Sequence, residues 1–186
     1  MVPMNAMGAV PDMQSVSGHA KVPCLIVTQP SGDLVLWESL AIIEYLAETY
    51  GERHIWPVDA TQRAVSRVLA AEMHAGFAAL RSACPMNLRR PPAPLAVDTA
   101  VAADIARVLS IWRHCYAESE GPFLIGAFSA VDAMFAPVFA RIKSYQLSDD
   151  PIVDRFGAAL QSLPAWEQWI EAALRETHSI AINEIS

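Results

Sequence analysis

The sequence is short of basic residues, has no long apolar run and has no paired cysteines. Its 13 Lys and Arg stand against 20 Asp and Glu, for a net charge of −7. A nucleic-acid surface needs the opposite balance, because phosphates are neutralised by surplus Lys and Arg, so nucleic acid is excluded as a partner. No stretch of about 18 consecutive apolar residues occurs, which argues against a membrane-spanning helix and against a membrane as partner. The opening MVPMNAMGAVPDMQSVSGHA has neither a basic start nor a continuous apolar segment, so it does not read as a secretory signal. Cys24, Cys84 and Cys115 are far apart and form no C-x-x-C pair. That usage suits buried thiols in a reducing cytoplasm better than a disulfide frame or a zinc site, and no metal is expected.

What is present is an apolar content of 53% with 18% charged residues, a globular composition slightly rich in apolar side chains. The excess hints at a covered partner surface. A chain of 186 residues makes one domain or two small ones, with a real core. Residues 1–20 show neither strand nor helix period and read as irregular. VPCLIVT (22–28) and LVLW (34–37) are strand-like runs around the turn residues Gln29 to Asp33, which predicts a hairpin. From Ser39 the apolar residues Leu40, Ile43, Leu46 or Ala47, and Tyr50 recur at helical spacing, and Gly51 stands where a helix stops.

Beyond Pro57 the chain turns helical. One helix is expected over 60–83, with Ala64, Val65, Val68, Leu69, Met73, Phe77 and Leu80 on its inner face, Asp59 or Thr61 as cap and Pro85 as stop. After a Pro-rich loop a second runs over 98–118, striped by Val101, Ile105, Val108, Leu109, Trp112 and Tyr116. Ser129 and Asp132 have capping-box spacing at the start of a helix to about Tyr145. Asp150-Pro151 and Ser162-Leu-Pro164 each pair a cap with a first-turn proline, opening helices over 151–161 and 164–177. The expected layout is an irregular 1–20, a βα fragment over 21–52 and an all-helical domain over 59–186.

This order of parts resembles the glutathione S-transferase superfamily over roughly residues 20–180. Lys21-Val22-Pro23-Cys24-Leu25 is similar to the family's VP dipeptide, whose proline is cis and opens a strand beside the ligand. Trp37-Glu38-Ser39-Leu40-Ala41 is similar to its strand-to-helix turn ending in Glu/Gln-Ser, and Ser129-Ala-Val-Asp132 to the capping motif of its helical domain. Ala71 to Phe77, Leu80-Arg81 and Cys84-Pro-Met-Asn-Leu-Arg89 resemble a bacterial subset. The fold class implied is α/β plus all-α: a partial thioredoxin-like fragment of hairpin and helix, followed by a glutathione-transferase-like helical bundle.

The resemblance implies glutathione as co-substrate and a small electrophile, such as maleylacetoacetate, to be conjugated or isomerised. Ser39 would hold the γ-glutamyl carboxylate and Glu38 the adjoining ammonium. Val22, turned outward by a cis bond to Pro23, would pair its backbone with the cysteinyl part, and Lys21 would meet the glycyl carboxylate. A homodimer is implied too, through the N-terminal domain of one subunit and the first long helices of the other. On the residues alone, Ser39 is equally a helix cap, Glu38 a dipole partner and Val22-Pro23 an edge strand. Likewise His74 reads as core or interface rather than catalytic, and Cys24 as a small buried apolar residue. Arg81, Arg89 and Arg90 read as a solvated loop or the lining of an acidic-substrate pocket.

One departure bears on chemistry. The family places a strand, a helix and a strand before its VP dipeptide, with a catalytic Tyr, Ser or Cys at the first junction. That unit needs about 30 residues, and 21 precede Val22. Ser15 and Ser17 lie too close to the dipeptide to serve, so no catalytic residue is nominated. The expectation is a truncated family member of low or absent activity. The alternative is a non-catalytic homologue acting as a weak glutathione binder or a helical interaction module.

Overall fold

The computed structural model describes residues 22–177, 179–181, 184 and 185. They fall into two compact units, one reaching to Ile55 and including residues 179–181, the other made of 56–177 with 184 and 185. In the first unit, strands β1 (Cys24–Gln29) and β2 (Gly32–Trp37) pair antiparallel, from Cys24 opposite Trp37 to Gln29 opposite Gly32. The turn is Pro30-Ser31 alone, shorter than the five residues its composition suggested. Proline fixes φ near −65° at the first turn position, so the reversal is made quickly and Gln29, Gly32 and Asp33 join the ladder. Helix α1 (Ser39–Thr49) follows, with Ile42 buried, and Tyr50 closes it by donating its N–H to the Leu46 carbonyl at 2.8 Å. A 3-10 turn over Gly51–Arg53 ends the hairpin-and-helix fragment.

The second unit is helical throughout. The expected helix over 60–83 is two: α2 (Ala60–Ala75) and α3 (Ala78–Ala83), broken at Gly76-Phe77. Phe77 takes a left-handed conformation at φ 57°, and a Cβ on Gly76 would come within 2.7 Å of the Glu72 carbonyl oxygen. Only glycine fits that approach. Asp59 is the cap, accepting the Gln62 N–H at 2.8 Å. The inner face also differs from the expected one. Ser66, Leu69, Ala70, Met73, Phe77 and Leu80 are buried, while Val65 and Val68 are 40% and 64% exposed. Hydrophobicity pointed to the valines, but the small side chains of Ser66 and Ala70 occupy the packed face instead.

Helix α4 (Thr99–Glu118) is capped by Asp98, which accepts the Val101 N–H at 2.9 Å, and its whole expected stripe is buried. Helices α5 (Ala130–Ser144), α6 (Pro151–Gln161) and α7 (Pro164–Arg175) complete the bundle. Asp150 caps α6, accepting from the Ile152 N–H. Ser162 does not cap α7: its hydroxyl turns back to donate to the Ala159 carbonyl at 2.7 Å, and Leu163 holds the cap position. That helix also ends two residues earlier than expected. Trp112 of α4 sits at the centre of the core, 4.6 Å from Phe156 and 6.2 Å from Phe135 between ring centroids.

The start of α5 is held by one carboxylate. Asp132, wholly buried, accepts the N–H of Leu124 and the N–H of Ser129, each at 2.9 Å, and the Ser129 hydroxyl at 3.3 Å. Burial outweighs these three donors and raises its pKa from 3.8 to about 6. The folded state therefore holds this proton more tightly than the unfolded chain. The resulting stabilisation is complete below pH 4 and is lost as pH rises through 6. We expect wild-type stability to fall relative to Asp132→Asn between pH 4 and 7, by at most about 3 kcal/mol. Urea unfolding across that range checks it, and parallel profiles for the two proteins would contradict it.

Candidate functional site

The hairpin register places the two N-terminal motifs side by side. Because Cys24 pairs with Trp37, Pro23 just before β1 and Glu38 just after β2 flank the same last rung. The Val22–Pro23 peptide is cis, Val22 is 58% exposed, and Pro23 is exposed. Across the rung, a single residue converts strand to helix. Trp37 ends β2, Ser39 begins α1, and Glu38 alone lies between them at φ 69°, ψ 119°. Positive φ is uncommon away from glycine, and outliers of this kind cluster at ligand sites. The chain needs it here because the strand runs into the helix with no loop.

Glu38 is therefore the cap residue of α1, but its side chain makes no capping bond. Its carbonyl accepts the Ile42 N–H at 3.0 Å. Ser39, read from the sequence as a cap, is instead the first residue of the helix and is half-buried. The first N–H groups of a helix have no acceptors within it and form the positive end of its dipole. The first turn of α1 contains no acid to offset that charge. The corner thus joins an exposed carboxylate, a hydroxyl, a helix N-terminus and the backbone before a strand. Lys21 lies outside the described residues, as do Ser15 and Ser17.

The remaining candidates have structural places. Arg90 donates to the carbonyls of Ser144 at 2.7 Å, Ala93 at 3.2 Å and Ile185 at 3.3 Å, with its guanidinium 4.5 Å from the Tyr145 ring centroid. Arg89 donates to the Glu176 carbonyl and pairs with Glu184 at 3.2 Å. Arg81 donates to the carbonyl of the half-buried His74 at 3.0 Å. Cys24 is half-buried on β1, while Cys84 and Cys115 are buried. Burial raises both buried thiols, Cys115 to about 11, so neither serves as a thiolate nucleophile. Among the described residues no cluster of three or more His, Cys, Asp or Glu could hold a metal ion, and no helix is long and apolar enough to cross a membrane.

Sequence reasoning missed the strained backbone at Glu38. For Glu38 a signal existed, since a strand pattern that meets a helix pattern with no turn residues must reverse at one residue.

Residues 1–54 match the family model of the glutathione S-transferase N-terminal domain. No curated protein matches the sequence. Among solved structures, the maleylacetoacetate isomerase of Anaeromyxobacter dehalogenans 2CP-1 is 24% identical, with a TM-score of 0.60 over 84% of this chain and 76% of that one. A glutathione transferase homologue from Burkholderia BGR1, solved with bound glutathione, is 24% identical, with a TM-score of 0.64 over 87% and 77%. A maleylpyruvate isomerase, described as a bacterial zeta-class glutathione S-transferase, is 22% identical, with a TM-score of 0.65 over 90% and 81%. These likenesses establish the fold: a thioredoxin-like N-terminal part followed by the helical domain of the glutathione S-transferases. The family match over residues 1–54 and the fold of these structures agree with each other.

Proposed function

We propose that the chain binds glutathione at the corner formed by Val22-Pro23 and Glu38-Ser39 and presents its thiol to a small electrophile, for conjugation or isomerisation. The observation that carries this reading is the Cys24–Trp37 rung, which sets both motifs at one end of the hairpin. The N-terminus of α1 and the Ser39 hydroxyl suit a carboxylate, and the Glu38 carboxylate suits an ammonium. Together they match the two charges of a γ-glutamyl group. The backbone at Val22 suits an extended cysteinyl segment added like a strand. Lys21 is the proposed partner of the glycyl carboxylate. None of the described residues is assigned to activating the thiol.

Calorimetry on the whole chain tests this. Ser39→Ala should weaken glutathione binding about tenfold, in line with a lost hydrogen bond to a charged group worth about 1.5 kcal/mol. An affinity unchanged by that substitution would reject Ser39 as a ligand contact.

We also propose a homodimer, since the face of α2 that turns away from the core exposes Val65 and Val68, with Val58 71% exposed just before it. A second copy is the occupant implied by the family resemblance, whose dimers use the first long helices. Val68→Glu should convert a dimer to a monomer in analytical ultracentrifugation with the circular dichroism spectrum unchanged. A wild-type chain that sediments as a monomer at about 0.1 mM would contradict the proposal.

A further inference from the structure

A cavity of about 300 Å³ opens between the start of α2 and the end of α4, and every residue lining it belongs to the helical unit. That volume lies at the lower end of the range for small-molecule sites. Its apolar lining is Val65 of α2, Cys115 of α4 and Ile125 of the loop that follows. Cys115 and Ile125 are 3% and 9% exposed, so they form its floor. Gln62 on α2 and His114 and Glu118 on α4 are exposed and stand at its mouth.

The formal charge around this cavity is of one sign. No Lys or Arg lines it. Helix α4 is 20 residues long and ends there at Glu118, with no basic residue in its last turn. The carbonyls of a helix C-terminus are the negative end of its dipole, which a cation stabilises and an anion disfavours. Glu118 places a full negative charge at that end, and among the described residues no Lys, Arg or His pairs with it. On the opposite wall the positive end of α2 is offset by Asp59, which accepts the Gln62 N–H at 2.8 Å. Burial and then the charge of Asp132 raise the Cys115 thiol, so that enclosed carboxylate is felt at the cavity floor. A packing gap filled by water explains the volume alone. It does not explain an acid of the wrong sign for helix stability, set above an apolar floor and left without a cation.

We propose that this cavity binds a small primary amine carrying an apolar ring. The ammonium meets the Glu118 carboxylate and the last carbonyls of α4, and the ring lies against Val65, Cys115 and Ile125. The site is built from the helical unit alone and does not rest on the glutathione reading. The probe is 2-phenylethylamine, titrated into the isotopically labelled whole chain at low ionic strength and followed by amide chemical shifts. We expect saturable shifts centred on residues 62–65, 114–119 and 125. 2-Phenylethanol and phenylacetate, of similar shape but neutral and anionic, should bind at least about threefold more weakly than the amine. Methylamine, which keeps the charge and lacks the ring, should bind at least about tenfold more weakly. Glu118→Gln, at an exposed position, should weaken the amine about fivefold and leave the alcohol within about twofold. Added glutathione should leave the amine affinity within about twofold. Circular dichroism melts confirm that the variant is folded. No amine binding, shifts centred elsewhere, equal affinity for amine and alcohol, an amine affinity unmoved by Glu118→Gln, or displacement by glutathione would each overturn the proposal.

Discussion

The corner depends on one backbone register. With Cys24 opposite Trp37, the residue before β1 and the residue after β2 share an end of the hairpin. A slip of one residue would turn every side chain of the moving strand to the other face and would separate the motifs. A two-residue turn holds that register, with Pro30 setting its first dihedral. Beyond the rung, the positive φ at Glu38 starts the helix immediately, so the N-terminus of α1 sits directly after the strand. A looser connection would place the same Glu and Ser in the sequence but not at the same rung. The corner's chemistry is therefore a consequence of a short turn at one end and of backbone strain at the other.

The helical unit depends on burying polar groups only where they have partners. Asp132 is wholly enclosed and stays there because three donors converge on it, two of them backbone N–H groups that would otherwise be orphaned. Arg90 does the converse, its donors taken by loop and helix carbonyls that tie the 85–95 segment to the end of α5.

Much of this was legible in the residues. The α4 stripe, the capping box and the proline starts of α6 and α7 each carry a local physical signature, and the elements lie where those signatures put them. The motif order likewise pointed to the glutathione S-transferase fold before any geometry was known. What was not legible arises from tertiary packing or local backbone conformation. The break at Gly76 depends on the close approach of the Glu72 carbonyl, and the exposure of Val65 and Val68 on how neighbouring helices approach. In the candidate site, Glu38 and Ser39 were identifiable as residues, but their roles as cap and first helical residue were exchanged. Only the dihedral at Glu38 decides that.

The most direct test of the corner is a titration of glutathione into the isotopically labelled whole chain, followed by amide chemical shifts. The register predicts that the largest shifts fall together on Val22, Cys24 and residues 38–41, the two motifs responding at one ligand concentration. Shifts confined to one motif, or centred on the helical unit, would contradict the claim that this rung assembles a single glutathione site.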